Sequence, residues 1–194
     1  MTETNEHNTD KPTFVYRESV LSDSDYIQWL SDVKSRYHQS QAKAAVKVNT
    51  EMLEFYWSIG RDLVALRAET RWGAGVVKQF AMDMREAFPQ STGFSYTNVK
   101  YMKRWYIFYN ERVAKGQQPA DLFDAEKGHQ VGDFLEMPKI FGRVPWKHHV
   151  EIICKCQTLD EAVFYVNKVA VEGWSRNKLE AKLPPNSFRR KVLR

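Results

Sequence analysis

The stretch MLEFYWSIGRDLVAL, residues 52–66, decides how this 194-residue chain is read. Met52, Tyr56, Ile59, Leu63 and Leu66 recur at i, i+4, i+7, i+11 and i+14, the spacing of one face of an α-helix. Working outward, no proline interrupts Ser24 to Glu69 and Gly60 is the only glycine there, so the spacing predicts one long helix, or two with a bend around Val48 and Asn49. Beyond Trp72 and Gly73 the pattern resumes with Val76, Phe80, Met84 and Ala87 on one side, and Pro89 ends it because it has no backbone N–H to donate. Ser95 then caps a helix whose inner stripe is Val99, Met102, Tyr106 and Tyr109. From Pro145 the helical spacing returns with Trp146, Val150 and Ile153, then Val163, Val166 and Val169. Gly173 and Trp174 break it, Ser175 caps a last short helix, and Pro184-Pro185 stop it. No period-two alternation appears, so the expectation is an all-α fold with helices near 24–46, 47–68, 74–88, 95–112 and, in pieces, 145–183.

Composition fits that reading. With 43% hydrophobic and 27% charged residues the chain is neither disordered throughout nor fibrous. No stretch approaches the ~18 uncharged apolar residues of a membrane span, and the first ten residues are polar and acidic, so a cytoplasmic protein without a membrane partner is expected. Cys154 and Cys156 sit two apart, where a disulfide would be strained, which suits a reducing compartment. The net charge is +5, unevenly placed: residues 1–36 hold four basic and seven acidic side chains, leaving the body markedly basic. A basic body points to a polyanion, most often nucleic acid. Along the chain the expected parts are a flexible lead-in (1–22), a helical domain (23–112), a connecting segment rich in glycine and proline (113–144), a second helical unit packed on the first (145–183), and a basic tail or linker (184–194).

One internal echo stands out. Gly93-Phe94-Ser95 with Val99 four beyond the serine recurs as Gly173-Trp174-Ser175 with Leu179 four beyond. Both read as two helices joined by a glycine turn with an aromatic plug, the shape of a helix-turn-helix. The plainer reading is that glycine, aromatic and serine mark helix ends in any α-bundle.

These residues also carry a family likeness. Val48-Asn49, Tyr56-Trp57-Ser58-Ile59-Gly60-Arg61, Trp72-Gly73, Phe88-Pro89, Gly93-Phe94-Ser95, Asn98-Val99 and Met102 come in the order of the N-terminal domain of the YhcG family of presumed PD-(D/E)xK nucleases. Pro145-Trp146-Lys147-His148, Phe164-Tyr165-Val166 and Gly173-Trp174-Ser175-Arg176 with Leu179 resemble its later block, so the resemblance spans roughly residues 25–183. It implies a helical, helix-turn-helix-like domain that binds DNA or mediates assembly, followed in relatives by a nuclease domain. That nuclease domain would follow Arg194, so it is expected to be separate or missing and no enzymatic activity is expected of this chain.

Asp160 with Glu180-Ala181-Lys182 is the only tempting acid then acid-x-Lys match, but it lies on predicted helices rather than the adjacent strands that hold Mg²⁺ in such nucleases. His148, His149, Cys154 and Cys156 are metal-ligand types, yet the two cysteines point roughly 200° apart on one helix; a buried cysteine and a half-exposed histidine is the expected reading, with no metal and no other cofactor. Trp72-Gly73-Ala74-Gly75 lacks the Lys-Ser/Thr of a phosphate loop. The cations remain. Thr97, Lys100, Tyr101 and Arg104 share the side of their helix away from the apolar stripe, where a recognition helix meets the major groove; Arg85 adds phosphate contacts, and Arg176 and Lys178 extend the cationic face. The leading expectation is therefore a DNA-binding, targeting module of a nuclease system. The alternative is a protein-interaction module, a homo-oligomer joined through the long N-terminal helix.

Overall fold

The computed structural model describes residues 23–114 and 136–184. The expected lead-in 1–22, the centre of the connecting segment and most of the basic tail lie outside the described residues. Among the described residues there are seven α-helices, one 3₁₀ helix and no strand, so the fold is all-α. The helices are α1 (Ser24–Ala65), α2 (Ala68–Trp72), α3 (Val76–Ala87), α4 (Tyr96–Ala114), α5 (Trp146–Lys155), α6 (Leu159–Glu172) and α7 (Arg176–Lys182), with the 3₁₀ turn Lys139–Arg143 ahead of α5.

The chain divides into two units at Ala44/Ala45, within α1, rather than around the segment 113–144. In the first unit the described residues are the opening turns of α1. Asp23 caps them: its carboxylate accepts from the backbone N–H groups of Asp25 (2.8 Å) and Tyr26 (3.1 Å).

In the second unit one buried cluster runs from Leu53 to Leu183, so residues 145–183 share the core of the first helices instead of forming a core of their own. Of the two alternatives at Val48-Asn49, the single unbroken helix is the one found. α1 continues through these residues to Ala65, and the chain turns only at Arg67, which takes the left-handed conformation (φ 48°) ahead of α2. Asn49 spends its amide elsewhere, donating to the carbonyls of Gly142 (2.8 Å) and Val144 (3.1 Å). That clamp is one reason the segment 113–144 is no plain connector: α4 reaches Ala114, and Met137, Phe141 and Val144 are core residues.

The inner stripe expected for α4 is buried as read, joined by Trp105 and Phe108. On α3 the deepest residues are Val77 and Ala81, one position off the expected Val76 and Phe80, which are only partly covered. The centre of the core is aromatic. Trp57 packs edge-on to Trp105 (4.9 Å), Tyr106 (5.1 Å) and Phe141 (6.1 Å). Trp105 continues to Trp146 (5.2 Å) and His149 (4.9 Å).

Both histidines are buried, correcting the half-exposed reading. His149 Nε2–H donates to the Phe141 carbonyl (3.1 Å), while Nδ1 finds no partner. Burial, and secondarily the neighbouring His148, lowers its pKa from 6.5 to about 4. The unfolded chain therefore binds a proton that the folded chain refuses between those two values. Folding stability should be complete above pH ~6.5 and fall as the pH drops toward ~4. Urea unfolding across that window checks this: His149→Gln should flatten the slope.

Candidate nucleic-acid interface

α3 and α4 are joined by eight residues, 88–95, longer than the three or four of a compact helix-turn-helix. The connection is nonetheless tightly held. Phe94 is buried, with Phe55 edge-on to it (6.2 Å) and Phe88 beside it (6.4 Å). Ser95 caps α4 by accepting from the Asn98 N–H (3.2 Å). The Asn98 side chain donates to the Gly93 carbonyl (2.6 Å) and accepts from the Trp146 indole (2.6 Å), so one amide ties the loop, α4 and α5 together.

The face expected on α4 divides. Thr97 and Lys100 are exposed, and the Lys100 ammonium lies 5.4 Å over the Tyr96 ring. Tyr101 and Arg104 are half-buried, which corrects the reading of four residues on one free face. Arg104 donates from Nη2 to the Ile153 carbonyl (2.9 Å), a cation at the C-terminal end of α5 where the helix dipole favours it. Burial, and next the adjoining Cys154 thiol, raises the Tyr101 pKa. Helical phase alone finds the side opposite one stripe; it does not reveal that α5 covers part of that side.

Arg85 is exposed on α3, and Lys78 stands exposed seven residues earlier on the same face, a cation missed in the sequence. The i, i+7 spacing of Lys78, Met82 (one turn on, exposed) and Arg85 was the signal that could have found it. Arg176 is exposed but its guanidinium reaches Glu180 (2.8 Å) and Glu151 (3.1 Å), so it presents little free charge. Lys178 lies over the Trp174 ring at 4.8 Å. Lys103, between these groups on α4, pairs with Glu69.

The echo between the two turns is partial. Gly173 adopts the left-handed conformation (φ 63°) that ends α6, and Ser175 caps α7 by accepting from the Lys178 N–H (3.4 Å), as Ser95 does for α4. Gly93 is not left-handed; a side chain there would collide with the Tyr56 hydroxyl. Trp174 is half-buried rather than an enclosed plug, its indole donating to Glu172 (2.8 Å) and its carbonyl meeting His148 Nε2 (3.1 Å). Trp174→Ala should therefore cost ~1–2 kcal/mol, below the ~3–5 of an enclosed aromatic, as chemical denaturation will read.

A family model described as the DUF1016 N-terminal domain matches residues 32–190. The chain belongs to the DUF1016 family. This is the family that the YhcG likeness pointed to. No curated protein and no solved structure matches the chain. In this DUF1016 domain several residues that carried the likeness are folding locks: Asn49 on the 3₁₀ turn, Tyr56 against Gly93, Gly60 at a helix contact, Asn98 and Trp146 in one hydrogen bond. Among the described residues no group of histidine, cysteine and acid is placed to hold a metal ion, and no helix is long and apolar enough to cross a membrane.

Proposed function

We propose that this DUF1016 domain is a DNA-binding module, the targeting half of a nuclease system. The observation that carries the reading is the exposed pair Thr97 and Lys100 on the first turns of α4, the helix that follows the capped turn. A helix start offers N–H groups and dipole to phosphate while its side chains reach the bases. Lys78 and Arg85 on α3 supply phosphate contacts beside it. Tyr101 and Arg104 act as positioning residues, holding α4 against α5, while Lys178 is a peripheral contact and Arg176 a weak one. α3, the connection 88–95 and α4 serve as an elongated helix-turn-helix.

The module binds and does not cut. In support, the acid-x-Lys candidate sits on α7, where Glu180 already accepts from Arg176. Duplex DNA titrated at two salt concentrations tests the proposal. Lys100→Ala with Arg85→Ala should weaken binding and reduce the salt slope by roughly one unit per lost phosphate contact. Unchanged affinity in the folded double variant refutes the assignment, and Mg²⁺-dependent cleavage abolished by Glu180→Ala refutes the non-catalytic part.

A further inference from the structure

The opening turns of α1, residues 23–44, carry two features that the DNA reading leaves unused. The first is an apolar row. At 100° per residue Tyr26, Leu30, Val33 and Tyr37 fall within about 60° of one another, with Ile27 and Trp29 on its margins. Tyr37 is 61% exposed, Trp29 56% and Ile27 52%, while Tyr26, Leu30 and Val33 are partly covered, on a helix whose other faces are polar. Exposed apolar side chains along a helix of this length are the mark of a surface that meets another protein.

The second feature names the partner. Residues 23–33 contain Asp23, Asp25 and Asp32 and no basic side chain, whereas residues 34–44 contain Lys34, Arg36 and Lys43 and no acidic one. The macrodipole explains acids in the first turn only; Asp32 lies two turns further on, and Lys34 and Arg36 are far from the helix end at Ala65. No ion pair within the described residues engages these six groups.

We propose that this segment pairs antiparallel with its own copy in a second chain, about a two-fold axis between Val33 and Lys34. Leu30 then lies across from the partner's Tyr37, and Tyr26 from the partner's Gln41. Antiparallel helices bring each flank against the same flank of the copy. Asp25, Asp32, Arg36 and Lys43 fall within about 40° on one flank. Under the two-fold, Lys43 sits opposite Ser24 beside Asp25, and Arg36 opposite Ser31 beside Asp32. A parallel pair would set the acidic half level with the acidic half and the basic half level with the basic half, so the charge order favours the antiparallel one.

Sedimentation equilibrium of the full chain tests this. The expected result is a dimer. Arg36→Glu with Lys43→Glu should weaken it roughly 100-fold, since like charges set against each other across an interface cost several kcal/mol. Adding Asp25→Lys and Asp32→Lys to that variant should restore it, because the swap recreates the complement. All four positions are exposed, and unchanged helical circular dichroism checks folding. A monomer at every concentration overturns the proposal, as does a dimer indifferent to the first pair of changes or one the second pair fails to rescue. Association only with some other protein is a monomer result. DNA binding by unit two is measured separately, so either reading can fail alone.

Discussion

Trp57→Ala is expected to lower the unfolding free energy by ~3–5 kcal/mol, a large part of the ~5–15 kcal/mol that holds an ordinary domain folded. Trp57 is 2% exposed and touches Trp105, Tyr106, Tyr109 and Phe141, side chains from α4 and the 3₁₀ turn that also pack on one another. Removing the indole leaves a void whose aromatic walls cannot collapse without moving the helices. Its Nε1–H has no acceptor, so Trp57→Phe loses volume but also relieves a buried unpaired donor. The phenylalanine variant should keep most of the stability that alanine forfeits. Equal losses in guanidinium titrations would mean that packing around Trp57 is not what holds α1 to α4.

Gly60→Val should be comparably severe, ~3 kcal/mol or more. A Cβ at Gly60 would lie 2.5 Å from the Met102 carbonyl oxygen and 2.9 Å from the Tyr106 Cβ. The first obstacle is backbone inside a helix, which no rotamer change can clear, so α1 and α4 must separate. Better helix propensity returns well under ~1 kcal/mol, because β-branched valine is itself a weak helix former, and overpacking of a rigid contact costs ~1–3 or more. A thermal melt that matches the parent would show that the two helices part freely at this crossing.

Much of this was legible beforehand, for reasons that particular residues make plain. α4 shows Val99, Met102, Tyr106 and Tyr109 at perfect helical spacing because one face of it is dry from Val99 to Tyr109. α1 misleads: Met52 and Leu66 fit the same period but are 37% and 45% exposed, since the row that faces the core is shifted toward Leu53, Trp57 and Gly60. Phe141 was invisible because a 3₁₀ turn of five residues is too short to show any period, and glycine and proline around it read as linker. The site was legible in part. Lys100 and Thr97 need only helical phase, whereas the burial of Arg104 depends on α5, whose first residue is 42 positions away in the chain.

The aromatic centre has an optical consequence. Trp57, Trp105 and Trp146 form a chain with ring centroids 4.9 and 5.2 Å apart, close enough for their excited states to couple. The folded domain should therefore give an exciton couplet in circular dichroism, and its Trp57–Trp105 part should be lost as soon as α1 leaves α4. Trp29 is the only tryptophan among residues 1–44 and is mostly in solvent, so it emits at longer wavelength and outside that chain. Trp72 is 54% exposed and emits there too, so in a Trp72→Phe chain a shift of that red component, with the couplet intact, will follow events at the opening turns of α1 while the core stays closed.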